Sequence, residues 1–376
     1  MKPQPRVAII GTGMIAAAHL RAARDSGADV IGLLGISPER SQEHAHRWNV
    51  PTGYPDLEAL LADRPDVVHV CTPNSTHVSY GEAVAAAGIG LVLEKPIATT
   101  VADAERLVKT VEAAGVVATV PYVYRYHPMV REIRARRIRG ELGDVALVHG
   151  SYLQDWLLSP DASTWRIDPR EGGASRAFAD IGTHWCDLAE FVSGEVFTEV
   201  SAATSIVHRT RPVGSSASFA GAREGAERAV VTTEDTATAM FRTQRGMTAS
   251  TVISQVSAGR KNRLWLEVDG TRGSAVFDQE QPETAWFGSE NGALTVHRGE
   301  GPAAADQSRL NRTPAGHPQG WTDAFAAFVS DTYAAVRGDR PEGLPTVQDG
   351  LRSVRIVQAV LDSAAGNAWT TIGDRS

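Results

Sequence analysis

The first third of the chain alternates short apolar runs with longer amphipathic stretches. RVAII (6–10), DVIGLLGI (29–36), VVHVCT (67–72) and IGLVLEKP (89–96) are compact and rich in β-branched residues. Such runs suit strands buried on both faces of a parallel sheet. Between them lie AAHLRAARDSG, YGEAVAAAG and TTVADAERLVKTVEAAG, which read as helices. Thr100 is placed to cap the last of these and Gly115 to close it. VVATVPYVYRY opens one more strand. Strands alternating with helices predict a doubly wound parallel sheet.

Beyond about residue 125 the pattern changes. HPMVREIRARRIRG reads as a helix, and DVALVHGSYLQDW alternates like a half-exposed strand. From 196 onward, EVSAATSIVHRT, EDTATAMFRT, MTASTVISQV, RLWLEVDG and GSAVFDQ follow one another without long helices between them. This is the pattern of an antiparallel sheet. The Gly/Ala/Ser-rich segment 214–228 reads as a loop. Helices over QGWTDAFAAFVSDTYAAVRG and TVQDGLRSVRIVQAVLDSAAG close the chain. The expected organisation is an α/β domain over residues 1–124 and an α+β domain over 125–376. An antiparallel sheet leaves one face bare unless something covers it. A homo-oligomer, dimer or tetramer, joined face to face through that sheet is therefore expected.

Composition narrows the function. The 376 residues carry a net charge of -7, which disfavours nucleic acid as a partner because that needs a basic surface. The basic run RARRIR (134–139) is interleaved with apolar residues, as on a solvated helix face. No window approaches the length of an apolar membrane span. Two cysteines, Cys71 and Cys186, make no disulfide framework and suit a cytoplasmic protein. No histidine shows metal-ligand spacing, so no metal is expected.

The chemistry begins at GTGMIA (11–16), directly after the first strand. Gly11 permits a tight turn, Gly13 lets a pyrophosphate approach the backbone, and Ala16 allows close packing of helix on strand. The following helix N-terminus, with Met14 and Ile15, offers N–H groups to phosphates. After the second strand an acidic residue would select NAD. Here stand Ser37, Glu39 and Arg40, which leave NAD and NADP both open. Ligands of open parallel sheets bind at the C-terminal strand ends. Thr72, Pro73, Asn74, His77, Glu94 and Lys95 fall there and complete the cofactor candidates.

GTGMIA, CTPN, EKP and GGASRAFADIGTHWCDL (172–188), in that order, resemble the Gfo/Idh/MocA oxidoreductases along essentially the whole chain. The resemblance implies a Rossmann domain followed by an open-faced, mostly antiparallel sheet domain, with NAD as cofactor and NADP not excluded. It also implies that Lys95, Asp180 and His184 act beside the nicotinamide. SYLQDWLL, TWR, PYVYRYHPMV and GHPQGWTDAF carry a narrower resemblance, to sugar 3-dehydrogenases that oxidise a ring hydroxyl of levoglucosan-like anhydrosugars or pyranoses. Inositol dehydrogenase and 1,5-anhydrofructose reductase are the alternatives on the same scaffold. An NAD-dependent glycosidase is the alternative from another class.

Alcohol oxidation needs a base within reach of the hydroxyl, and histidine is best tuned for it near neutral pH. Asp180 and His184 are four apart and share a helix face. His184 is the expected proton acceptor, with Lys95 as the alternative. The Lys95 charge favours the alkoxide, and Asp180 supports the imidazole or a sugar hydroxyl. Gly172 and Gly173 permit a close turn before this helix. Asp187 and Cys186 read as structural. Tyr126, Gln154, Trp165, Arg166 and His317 are the candidate substrate contacts, with Asp155 and Trp156 as similar cases. Tyr126 could instead be core, Arg166 could pair with Asp168, and His317 could cap the helix after Pro318.

Overall fold

The computed structural model describes residues 4–212, 220–221, 227–301 and 303–373. It divides into two compact units, Met1–Pro121 with Phe325–Val354, and Tyr122–Ala324 with Arg355–Ser376.

The first unit is built on strands β1 (Arg6–Ile10), β2 (Asp29–Leu34), β3 (Thr52–Tyr54), β4 (Val67–Val70), β5 (Gly90–Leu93) and β6 (Ala118–Thr119). Among the described residues they form a six-stranded parallel sheet in the order β3-β2-β1-β4-β5-β6. This is the doubly wound order of dinucleotide-binding domains. The helices between are α1 (Met14–Asp25), α2 (Pro38–Arg47), α3 (Leu57–Ala62), α4 (His77–Ala86) and α5 (Val101–Ala114). Thr100 Oγ1 accepts from the Asp103 N–H at 3.2 Å and Gly115 closes α5 at φ 65°. β3 and α3 escaped the sequence reading, because a three-residue strand carries no periodicity and the helix spans only six.

In the second unit α6 (Pro128–Ile138) is followed by β7 (Val145–Leu153), α7 (Thr183–Ser193), β8 (Phe197–Ser205), β9 (Thr236–Thr243), β10 (Thr248–Ser254), β11 (Arg263–Gly270), β12 (Ser274–Asp278), β13 (Thr284–Ser289) and β14 (Gly292–His297). Helices α8 (Ala305–Leu310), α9 (Trp321–Val336) and α10 (Val347–Gly366) precede the short β15 (Thr370–Thr371). Among the described residues the order is β14-β13-β12-β11-β7-β10-β9-β8-β15. Only the β7–β10 pair in this sheet is parallel. The segment 214–228, expected as a loop, lies largely outside the described residues.

One face of this nine-stranded sheet is the core. Trp185, Leu188 and Ala189 of α7 pack there with Phe197, Phe241 and Leu266. The Phe197 and Phe241 rings stack at 4.4 Å, a geometry contributing about 1 kcal/mol beyond area burial. Alternate residues along the same strands point the other way. Met240, Val252 and Trp286 are there 51%, 46% and 37% exposed, so the face is bare among the described residues.

Most of α9, from Phe325 on, and the first eight residues of α10 belong to the first unit, which a single cut at 124 does not anticipate. Their anchors are buried polar groups. The Thr119 and Thr332 hydroxyls meet at 3.1 Å, and Tyr333 meets His69 at 3.0 Å. Helical periodicity gives the apolar face of such helices but not the sheet that receives it. Among the described residues no helix is long and apolar enough to cross a membrane.

Candidate functional site

The glycine turn of the first unit is shaped by close contact. The Gly11 N–H donates to Leu34 O at 2.8 Å, and its φ is 114°. A Cβ there would stand 2.5 Å from Cys71 O, so only glycine fits. Gly13 is the N-cap of α1, gives the helix no side-chain cap, and would have open space around a Cβ. Met14 is 62% exposed and Ile15 half-buried. The first N–H groups of α1 thus open onto free space at the positive end of the helix dipole, which fits a pyrophosphate.

At the end of β2, Ser37 caps α2 through Arg40 N–H and donates its hydroxyl to Glu39 at 2.7 Å. Arg40 pairs with Glu43 at 2.8 Å. Thr72 and Pro73 line the turn after β4, where Asn74 is buried. His77 is 1% exposed, and its ring nitrogens lie 2.8 Å from Thr72 O and 2.7 Å from Pro96 O. It braces the turns that follow β4 and β5. Burial holds this imidazole below its ordinary range, against the raising effect of the two carbonyls. Glu94 is buried and Lys95 half-buried at the C-terminal end of β5.

In the second unit, Asp180 sits in a wide, π-type turn (Phe178–Gly182) that runs directly into α7. Such widened turns recur at functional sites. The turn is anchored by buried Glu234, whose Oε1 accepts from Ser175 Oγ, Arg176 N and Phe178 N at 2.8, 3.0 and 2.8 Å. Burial raises the Glu234 carboxyl despite these donors. Gln255 Nε2 donates to Asp180 Oδ2 at 2.9 Å, and Arg166 Nε lies 3.5 Å from Oδ1. Arg166 therefore faces Asp180, while Asp168 is taken by Arg170 at 2.6 Å. The Arg166 guanidinium lies 4.5 Å over the Trp165 ring. Gly172 lets the chain pass Arg166, since a Cβ would stand 2.7 Å from Arg166 O.

One turn on, the His184 imidazole is framed by three tyrosine rings. Tyr124 and Tyr122 meet it edge-on at 5.1 and 5.6 Å, and Tyr152 lies at 6.4 Å. Beside it runs a closed circuit of hydrogen bonds. Asn262 Nδ2 donates to the Tyr124 oxygen at 3.2 Å, and the Tyr152 hydroxyl donates to Asn262 Oδ1 at 2.7 Å. The Tyr124 and Tyr152 hydroxyls are bonded to each other. With the Tyr152 proton committed to Asn262, Tyr124 is the donor in that bond. Gln154 Nε2 joins through Asn262 Oδ1 at 2.8 Å. Burial pushes both phenols up, and the Asp180 charge adds to this. The phenols therefore stay neutral and the circuit rigid.

Tyr126 is fully buried with its ring 5.0 Å from the Arg131 guanidinium, so it belongs to the core. His317 is exposed on a loop whose carbonyl accepts from Arg298 at 2.9 Å. The cap of α9 comes from Asp323, through Gly320 N–H. Asp155 pairs with Lys261 at 2.6 Å and Trp156 is 37% exposed. Asp187 binds Arg125 at 2.8 Å, and Cys186 lies in the core. The sequence reading missed Tyr122, Tyr124, Tyr152, Gln255 and Asn262. The runs YVYRY and SYLQDWLL contain the three tyrosines without singling them out, and Gln255 and Asn262 carry no local signal. It also gave no metal-ligand spacing, yet His149 stands 3.3 Å from Asp269 and 3.6 Å from Glu267 on the bare sheet face. The three offer ligand atoms within 4.8 Å of one another, a grouping that appears only once strands β7 and β11 are paired.

Residues 5–122 match the family described as "Oxidoreductase family, NAD-binding Rossmann fold", and 130–276 match its C-terminal domain, "GFO/IDH/MocA C-terminal domain". Levoglucosan dehydrogenase of Pseudarthrobacter phenanthrenivorans is 31% identical over 89% of this chain and 87% of its own. The chain is a Gfo/Idh/MocA oxidoreductase. Solved structures agree with this Gfo/Idh/MocA assignment. A levoglucosan dehydrogenase in complex with NADH and levoglucosan superposes with a TM-score of 0.88 at 26% identity, covering 99% of this chain and 100% of that one. An inositol dehydrogenase homologue from Azotobacter vinelandii, with NADH and myo-inositol, gives 0.83 at 26% identity, covering 99% and 98%. The Gfo/Idh/MocA protein described here is thus an NAD-binding oxidoreductase, and its uncapped α1 N-terminus fits that cofactor.

Proposed function

We propose that this oxidoreductase oxidises a secondary ring hydroxyl of a pyranose or anhydrosugar of the levoglucosan type. The observation that carries the reading is the setting of Asp180 and His184. A carboxylate held by Gln255 and Arg166 lies one turn before an imidazole enclosed by tyrosines. The similarity to levoglucosan dehydrogenase over 89% of the chain supports the substrate class. Bound NAD supplies the hydride acceptor. His184 accepts the hydroxyl proton, as a general base of histidine type does near neutral pH. Asp180 orients the imidazole or binds an adjacent hydroxyl, and the Lys95 ammonium stabilises the alkoxide. Trp165 offers a flat apolar surface to the ring, with Arg166 and Gln154 as polar contacts. His317 remains a candidate contact from its loop.

We also propose a cytoplasmic homo-oligomer, a dimer or tetramer, joined through the bare sheet face. Exposed Met240, Val252 and Trp286 on that face support it.

The test is NADH absorbance with NAD or NADP and levoglucosan, glucose, myo-inositol or 1,5-anhydroglucitol. Turnover with levoglucosan and NAD is expected. Turnover with myo-inositol alone would overturn the substrate class and keep the chemistry. Sugar cleavage without net NADH would mark a glycosidase.

A further inference from the structure

Four buried polar side chains of the first unit form one line. Tyr333 Oη lies 3.0 Å from His69 Nε2, His69 Nδ1 lies 2.9 Å from His19 Nδ1, and His19 Nε2 lies 2.9 Å from Glu94 Oε1. The second carboxylate oxygen of Glu94 accepts the Lys95 main-chain N–H at 3.1 Å. Tyr333, His69 and His19 are at most 1% exposed, and Glu94 is 7% exposed. The three rings are shut off from bulk water and Glu94 nearly so, so each ring proton must be accounted for within the line.

The protons can be placed by elimination. A buried phenol must donate, and His69 Nε2 is the acceptor facing Tyr333 among the described residues. His69 therefore carries its proton on Nδ1 and donates it to His19 Nδ1. His19 in turn is protonated on Nε2 and donates to Glu94. Burial, together with the neighbouring His19, holds the His69 imidazole well below its ordinary range, in keeping with a neutral ring. Burial pushes the Glu94 carboxyl up, but the His19 bond, the Lys95 charge and His77 outweigh this and hold it below its ordinary value. Every donor in the line points toward one ionised carboxylate, and both oxygens of that carboxylate are spoken for.

The line ties together four elements. His19 lies on α1, the helix that opens at the glycine turn, His69 on β4, Tyr333 on α9, and Glu94 at the end of β5. We propose that His19 and Glu94 are positioning residues for Lys95. The carboxylate, held by His19, clamps the peptide N–H of the lysine and so fixes its backbone relative to α1. This rests on the reading of Lys95 as the group that stabilises the alkoxide. Neither His19 nor Glu94 needs to touch substrate.

The first test needs no turnover. With 15N-labelled histidine, NMR is expected to show His69 protonated at Nδ1 and His19 at Nε2 in the NAD-bound and the NAD-free protein. An imidazolium at either site, or the opposite tautomers, would overturn the directed line. The second test is a mutant cycle on the intact protein, read by NADH production from levoglucosan. Glu94→Gln replaces a double acceptor by a group that accepts at one end only. It is expected to lower kcat at least tenfold, with KM for the sugar changed less than threefold. Lys95→Met is expected to lose at least a hundredfold. The double variant is expected to match Lys95→Met within twofold, because Glu94 acts through Lys95. Losses that multiply in the double variant would overturn the proposal. So would full turnover of Glu94→Gln beside a dead Lys95→Met. Full turnover of Lys95→Met would instead remove the underlying reading of the lysine. Should Glu94→Gln fail to fold, Tyr333→Phe takes its place. Loss of the terminal donor is expected to abolish the single His69 tautomer in the spectrum, and an unchanged spectrum would count against the line.

Discussion

At the scale of single residues the proposed chemistry depends on side chains whose surroundings leave them little choice. His184 stands among three aromatic rings, and its replacement is expected to show in turnover rather than in folding. His184→Ala should lower kcat between a hundredfold and ten-thousandfold, about the range of general base catalysis, with NAD affinity retained. Turnover within threefold of wild type would exclude it as the base. Gly11→Ala is expected to weaken NAD binding at least tenfold by fluorescence titration, since its Cβ would meet Cys71 O at 2.5 Å. A third expectation concerns acid. Burial holds His127 down at about 4, against an ordinary 6.5, opposed by the Gln279 bond and the Glu283 charge. In that window the unfolded chain takes up a proton that the folded protein refuses, so acidification favours unfolding. The stability is fully present above pH 6.5 and is lost progressively toward pH 4. His69 and His77, also lowered by burial, act in the same direction. Melting temperature followed from pH 7.5 to 5 should fall, and less steeply in His127→Asn.

At the scale of elements, what the sequence revealed depends on how local the cause is. Strands β1, β2, β4 and β5 were readable because burial on both faces leaves short, mainly apolar runs, interrupted in β4 only by His69. The glycine turn was readable because Gly11 answers a backbone requirement, which residue type alone discloses. Asp180 and His184 were readable as a pair four apart, although the wide turn between them was not. The polar circuit around them was invisible. Tyr124, Tyr152, Gln154, Gln255 and Asn262 come together only once strands are in register. The pairing of Leu153 with Ser254, in the parallel β7–β10 ladder, sets Gln154 and Gln255 side by side. Cofactor choice also belongs to this scale. The corner after β2 was ambiguous as a string of letters. In the fold, Glu39 holds the Ser37 hydroxyl and Glu43 holds Arg40. A 2′-phosphate there would meet two carboxylates. KM for NADP is therefore expected to exceed that for NAD at least tenfold, and Glu39→Arg to narrow the gap. Equal KM values would show that this corner does not select.

At the scale of the whole molecule, the bare face of the second sheet is the feature that asks for a partner. A second copy would cover Met240, Val252 and Trp286 together. Light scattering at micromolar concentration is expected to give at least a dimer. The double variant Met240→Lys and Val252→Lys is expected to shift the mass toward that of one chain. A wild-type monomer would remove the face from consideration. Neither result bears on the first unit, whose sheet is closed by its own helices.

That closure has a history in time. The first unit is completed by Phe325–Val354, which the ribosome makes roughly two hundred residues after Pro121. At about 5–20 residues per second the delay is about ten to forty seconds. Throughout it, His69 and Thr119 lack the Tyr333 and Thr332 that meet them in the finished protein. The nascent domain must wait, incomplete and open to chaperones, for a helix that belongs to the other end of the message.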